Sequence, residues 1–415
     1  MASFPIEAVR GEFPALTPAG DGASRIYLDN PAGTQVPRRV VDAVSRAFVE
    51  AASNLGGAFP NSKAADAIWA EAHQAMADML GAASAREIIV GPSMTNLTFH
   101  LSRSIGARLD PGDEIIVTRM DHDGDVAPWL HLAEDRNLVV KWVPFDRETW
   151  RIERADLEAV LSERTRLVAL NYASNLTGSI NDVRDLTAAA KAAGAWVYVD
   201  AVQFAPHGLI DVAALGCDFL ACSSYKFFGP HLGILWGRGE LLEALPAYKV
   251  RCASDAIPDK FETGTPQTEL LAGLAACVDY LAWLGASVGA TGGRRAEIAA
   301  AFEAAGAYED SLTLALIEGI GAIAGTTIHG ITNSNRIAER VPTVSLTHAR
   351  VDPRHLASAL AEEGIYAWPG HNYALEVVRH LGIDEHEGVL RLGLAHYNTR
   401  DEVERTLSAL ERILA

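Results

Sequence analysis

Cationic residues are scarce in this chain. Lys and Arg number 35 against 53 Asp and Glu, a formal charge of −18, so a phosphate backbone is repelled over most of the surface and nucleic-acid binding is disfavoured. Cysteine is rarer still. Cys217, Cys222, Cys252 and Cys277 show no C-x-x-C spacing, and three sit in apolar or strand-like context. Reduced, buried thiols are expected, in keeping with a cytoplasmic protein. The opening MASFPIEAVRGEFP has acids and prolines where a signal peptide has a basic start and an apolar run, so none is expected. No uncharged apolar window is long enough for a bilayer, and no membrane span is expected. Core material, by contrast, is plentiful: 49% of 415 residues are hydrophobic, too many for one comfortable core, so a large domain with a smaller one is anticipated.

The informative stretch is WVYVDAVQFAPHGLIDVAALGCDFLACSSYKFFGPHLG, Trp196 to Gly233. Trp196–Val199 reads as a buried strand ending on Asp200, and Phe219–Cys222 as a second that delivers Ser223, Ser224, Tyr225 and Lys226 into a turn. Aspartates and lysines in these places are common in α/β proteins for reasons unrelated to chemistry. Together they are what a pyridoxal phosphate (PLP) site requires: an amine to form an imine, and a carboxylate to keep the pyridine nitrogen protonated.

With Gln203 in DAVQ and SSYK running into FFGP, this stretch resembles the class V aminotransferase and cysteine desulfurase family of fold type I PLP enzymes, which carry D-x-x-Q and S-x-x-K-x-x-G-P here. The resemblance implies an α/β fold, a large domain with a mainly parallel sheet and a smaller α+β C-terminal domain. Alternating strands and helices point the same way. The expected division is 1–25 as an arm, 26–275 as the cofactor domain and 276–415 as the small domain.

Other segments extend the resemblance. GPSMTN, between a strand and a helical run, reads as a phosphate seat made of unpaired backbone N–H groups, with Ser93, Met94 and Thr95 where the family has G-T-T; a plain helix cap is the alternative. In TRMDHDGDVAPW, His122 matches a family histidine that stacks on the cofactor ring. Metal binding by the D-H-D cluster ranks far below that, because Asp121 and Asp123 flank His122 on opposite sides if extended. The resemblance further implies that Asn175 bonds the cofactor's phenolic oxygen, that Ser223 and Tyr225 stand by its phosphate, and that Thr265 of FETGTP reaches the phosphate of a neighbouring subunit, hence a homodimer. Arg391, in VLRLGLAHYNT, corresponds to an arginine that grips the substrate α-carboxylate; Asn30 and His371 are placed with it in substrate binding.

The departures matter as much. Ser53 to Pro60 lacks the histidine and arginine usual in desulfurases, and Tyr225 replaces a histidine. In AWPGHNYAL, set against R-x-G-H-H-C-A, Tyr373 stands where group II desulfurases have the catalytic cysteine. A phenol cannot carry sulfur as a persulfide. The expectation is therefore a PLP enzyme acting on a small-molecule α-amino acid through an external aldimine, most readily a C–S β-elimination without a persulfide. Transamination and epimerisation are the alternatives, and a non-catalytic PLP-binding regulator is the alternative of another class. The catalytic assignments are Lys226, His122, Asp200 and Tyr373.

Overall fold

The computed structural model describes residues 4–17 and 25–415; residues 1–3 and 18–24 of the anticipated arm lie outside them. The apolar, β-branched runs become a seven-stranded sheet: β1 (Ile88–Gly91), β2 (Glu114–Thr118), β3 (Val139–Val143), β4 (Thr165–Asn171), β5 (Trp196–Asp200), β6 (Phe219–Ser223) and β7 (Gly233–Gly237). Their order is β1-β7-β6-β5-β4-β2-β3. Only β7 runs against its neighbours; the remaining pairs are parallel. Parallel strands buried on both faces explain why these segments read as continuous apolar runs instead of alternating ones. This is the α/β fold with a mainly parallel sheet that the sequence implied.

A second sheet combines β8 (Thr326–His329), β9 (Thr343–His348), β10 (Trp368–Gly370) and β11 (Val389–Gly393) in the order β10-β11-β9-β8, all antiparallel. Its core includes Leu316, Val344, Leu390 and Leu410, together with Ile26 and Leu28 from the start of the chain. The last helix, Arg400–Leu414, opens with the Thr399/Glu402 capping box that its sequence announces. Asp352 is a simple N-cap of the helix Pro353–Glu362, its carboxylate accepting from the Arg354 and His355 N–H groups.

Two helices differ from what sequence spacing suggests. Val41, Val44, Phe48 and Ala51 recur at helical spacing and read as a core face, but in the helix Arg38–Glu50 the buried residues are Val40, Ala43 and Ala47, whereas Val41 and Phe48 are exposed. The helix Thr268–Ser287 approaches it closely: a Cβ on Gly273 would lie 2.7 Å from Val44 and 3.4 Å from Val40, so the small residues face inward and the phenylalanine is turned out. Asn181 reads in the sequence as the cap of the next helix, which is instead capped by Asp182 and runs Val183–Ala192; the Asn181 amide is committed to Asn171 and to the Ile152 N–H. The helix Thr268–Ser287 is long and apolar enough to cross a bilayer by length and composition, but Glu269 and Asp279 interrupt it, so no uncharged window of that length exists in it, and it is mostly buried, packed among Arg38–Glu50, Pro60–Leu80 and Arg294–Ala322. It also runs unbroken through residue 275 and contributes Leu271 to Leu284 to the core of the first sheet.

Candidate functional site

Because β2, β4, β5 and β6 are parallel and in register, their carboxyl ends share one edge, where ligands collect in open α/β sheets. β2 is followed by Asp121 and His122, β4 by Asn175, β5 ends on Asp200, and β6 ends on Ser223, with Lys226 in the next 3₁₀ turn. β1, two reversals away from β6, points the same way and feeds the helix Met94–Gly106. Gly233 allows this: a Cβ there would lie 2.1 Å from the Ser93 carbonyl carbon and 2.3 Å from the Met94 nitrogen.

Met94, Thr95, His122, Asn175, Asp200, Gln203, Ser223, Tyr225 and Lys226 all line one narrow slot. Lys226 is half-buried, its Nζ donating to the Pro31 carbonyl. Burial, aided by the Arg391 charge, brings its pKa down to about 7, so that neutral amine is available near neutrality. Burial pushes Asp200 up to about 6, against the Val202 N–H at 2.8 Å and the Lys226 charge. His122 is held near 3 by burial and the Lys226 and Arg391 charges, and stays neutral; its Nδ1 accepts the Gly124 N–H at 2.9 Å.

Lys226, His122, Asn175 and Tyr225 also line a wider cavity of about 890 Å³ that includes Arg391, His371 and Tyr373. Arg391 is 4% exposed. Its Nη1 donates to the Asn175 carbonyl at 3.1 Å, its Nη2 stands 3.8 Å from Asp29, and its Nε is buried without a partner. His371 Nδ1 accepts the Tyr373 N–H at 3.0 Å. The Tyr373 carbonyl accepts the Asp123 N–H at 2.7 Å, and its ring lies 5.5 Å from that of His122 at 29°.

Three predicted residues stand elsewhere. Ser93 does not line the slot; its hydroxyl caps the helix by accepting the Asn96 N–H at 3.1 Å, which was the alternative reading. Asn30 lines neither cavity. Its amide donates to the Tyr27 and Gly393 carbonyls and to Asn398, and its oxygen accepts from Tyr397, leaving no atom for a substrate. Thr265 is exposed and lines a separate cavity with Asn96 and Glu262. Glu262 anchors that loop by accepting from Trp69, His73 and the Val90 N–H at 3.0, 2.7 and 2.7 Å.

Two residues were missed. Asp121 and Asp125 are buried; burial, the Asp200 charge acting on both and the Asp121 charge acting on Asp125 push both far above the usual carboxylate range. Asp125 also accepts from the Trp129 indole at 3.1 Å and Asp121 from the Thr118 hydroxyl. Asp123, between them in sequence, is instead at the cavity mouth.

Residues 26–406 match the model of the family described as aminotransferase class-V. The chain belongs to that family. Class V aminotransferases and the related cysteine desulfurases are PLP-dependent enzymes, and PLP is the cofactor of this chain. Among its relatives are an aminotransferase-like protein, FGM3, of Gibberella zeae, 33% identical with 100% of this chain and 99% of that protein covered. A cysteine desulfurase of Pectobacterium atrosepticum is 32% identical over 99% and 98%. Among solved structures, the cysteine desulfurase CsdA of Escherichia coli superposes with a TM-score of 0.84 at 27% identity, covering 99% of this chain and all of that one. The apo cysteine desulfurase of Thermococcus onnurineus NA1 gives 0.87 at 27% identity over 100% and 99%.

The residues present fit this class V cofactor. Buried Asn175 Oδ1 and Gln203 Oε1 have no partner, which is costly unless a ligand supplies a donor. Asp200 and Lys226 face one slot, and the N-terminus of Met94–Gly106 opens onto it through Met94 and Thr95.

Proposed function

We propose that this chain is a PLP-dependent lyase that expels the sulfur substituent of a cysteine-derived α-amino acid by β-elimination, without passing through a protein persulfide. The observation that carries this reading is the absence of a thiol at the site: none of the four cysteines, the exposed Cys252 included, lines the slot or the wider cavity. Burial pushes the Cys217 thiol up to about 12 and raises Cys222 and Cys277, and such thiols are inert. The loop at the cavity mouth presents Tyr373 instead.

The cofactor, when bound, withdraws electrons from the substrate's α-carbon and makes its proton acidic. Arg391 binds the α-carboxylate, with the hydrogens that Asp29 and the Asn175 carbonyl leave free. Asp200, its negative charge aimed into the slot, holds a proton on the ring nitrogen. Lys226, its pKa lowered to about 7 so that a large share is neutral near that pH, removes the α-proton. His122, neutral and lining the slot, helps to keep water from it. Tyr373 or His371, at the mouth, protonates the departing thiolate. The overall balance is a substituted cysteine plus water giving thiol, pyruvate and ammonium. By the same reading the protein is a cytoplasmic homodimer in which Thr265 of each chain serves the neighbouring site.

The test is incubation of the purified protein with a panel of amino acids and S-substituted cysteines. Stoichiometric pyruvate and thiol are expected. A keto acid retaining the substrate side chain, with aminated cofactor, would replace this reading by transamination, and loss of optical activity alone would replace it by epimerisation. No α-proton exchange with any amino acid would favour a regulator.

A further inference from the structure

The cavity outside Lys226 is far larger than a cysteine side chain needs. At about 890 Å³ it matches pockets that enclose whole drug-sized ligands. Two of the few large apolar side chains left exposed anywhere in the described residues, Trp368 and Tyr373, at 54% and 67%, both line it. Scattered exposed aromatics need no explanation, but two on the rim of one functional cavity do.

Their placement ties them to the substrate. Trp368 on β10 pairs directly with Arg391 on β11. Residues directly opposite in an antiparallel pair project from the same face, with Cβ atoms roughly 5 Å apart, so Trp368 leaves the sheet on the same side as the arginine that receives the α-carboxylate, and both line the cavity. Tyr373 is held in place by backbone strain. Asn372 and Tyr373 both have left-handed φ angles, 52° and 58°, a conformation that non-glycine residues rarely adopt. It persists because the Asn372 carbonyl accepts from Asn175 at 2.8 Å and the Tyr373 carbonyl from Asp123 at 2.7 Å. Such strain marks segments whose aim matters. The strand pairing sets Trp368 on the same side of the sheet as the carboxylate anchor, and the strained loop fixes the other ring against His122.

We infer that Trp368 and Tyr373 form an aromatic clamp for the substrate's distal group, so that the preferred substrate is a cysteine carrying an aryl or arylalkyl substituent on sulfur. The inference rests on the elimination reading only for the sulfur atom; the clamp is a property of the binding site. A planar apolar group between two rings is stabilised by stacking and by release of water from both faces. Small substrates such as S-methylcysteine leave the clamp empty.

The probes are two amino acids without a leaving group, 2-amino-5-phenylpentanoate, in which methylene replaces the sulfur of S-benzylcysteine, and 2-aminopentanoate, which lacks the phenyl. Their affinities for the PLP-loaded protein are read from the change in cofactor absorbance and, separately, from quenching of tryptophan fluorescence. The phenyl compound is expected to bind about tenfold more tightly or better. In Trp368→Ala the preference falls to near unity and the phenyl-dependent quenching disappears. Trp368→Phe restores most of the preference without the quenching, which a merely structural tryptophan would not do. Equal affinities in the unsubstituted protein, or a preference untouched by Trp368→Ala, would overturn the clamp. The two readings fail separately: selective phenyl binding without pyruvate from S-benzylcysteine removes the elimination and leaves the clamp. Pyruvate from all S-alkylcysteines alike, with flat binding, removes the clamp and leaves the elimination.

Discussion

Replacing Asp125 by asparagine isolates the proton that the buried acid pair must hold. Asp121 Oδ1 and Asp125 Oδ2 are buried with no hydrogen-bond donor in reach, no cation pairs with either, and Asp200 adds a third carboxylate to the same field. Two ionised carboxylates in contact without a counter-charge are prohibitively costly, so the pair keeps one proton at neutral pH. The unfolded chain releases that proton above about pH 4. The folded state therefore binds one more proton than the unfolded state, and stability falls by about 1.4 kcal/mol per pH unit until the pair itself ionises. That contribution is complete at low pH and is lost as pH rises, the sense required of a carboxyl whose folded pKa is raised. In Asp125→Asn the amide donates to an ionised Asp121. The net charge behind Asp200 is unchanged, but the bound proton is gone. Asp200 itself, lifted to about 6, titrates lower and affects both proteins alike. Urea unfolding from about pH 6.5 to about pH 8 should thus show the variant gaining about 2 kcal/mol on the parent over that window. The infrared C=O stretch of an un-ionised carboxyl should weaken in the variant at the upper pH. Parallel stability curves, or an unchanged carboxyl band, would refute the shared proton.

Lys226→Ala should abolish the visible absorbance of the lysine-bound cofactor; a persisting band would mean that another lysine carries it. Arg391→Ala removes charge-assisted bonds typically contributing about 1.5–3 kcal/mol, so KM for α-amino acids should rise roughly 10- to 100-fold while the absorbance of the resting protein stays, and an unchanged KM would remove its assigned role. Glu262→Ala strands the Trp69, His73 and Val90 donors. At about 1 kcal/mol or more for each buried donor left unpaired, it should cost about 3 kcal/mol in urea unfolding; a loss under about 1 kcal/mol would show that the loop around Thr265 is held by other contacts.

Much of the sheet was legible because its strands are apolar on both faces and end in turns, so runs such as Phe219–Cys222 announce themselves without any periodicity. The residues at the strand ends were legible for a related reason. Asp200, Asn175 and Lys226 follow those runs at once, and a parallel sheet leaves the following residues little choice of edge. The direction of a helix face was not. Arg38–Glu50 offers two stripes, one through Val41 and Phe48 and one of Val40, Ala43 and Ala47, with Val44 between them, and periodicity alone favours the more hydrophobic. The decision is made 230 residues later, where Gly273 lets a second helix come so close that only small side chains fit between them.

The acid pair was hidden in a similar way. In DHDGD the spacing shows three aspartates around a histidine, but their environments depend on where β2 ends. The chain leaves β2 after Thr118, whose hydroxyl turns Asp121 inward, and enters the helix at Asp123 with His122 as its cap. The fourth residue of that run, Gly124, donates its N–H to the His122 ring, and the helix then carries Asp125 back beneath Asp121. One carboxylate is thus left at the mouth and two beneath the floor. Asp200 therefore faces the slot with two buried carboxyls behind it, while the positive charge of Arg391 stands in the wider cavity. A sequence that shows which charges are present does not show this partition, because it is created by a single turn of chain between a strand end and a helix start.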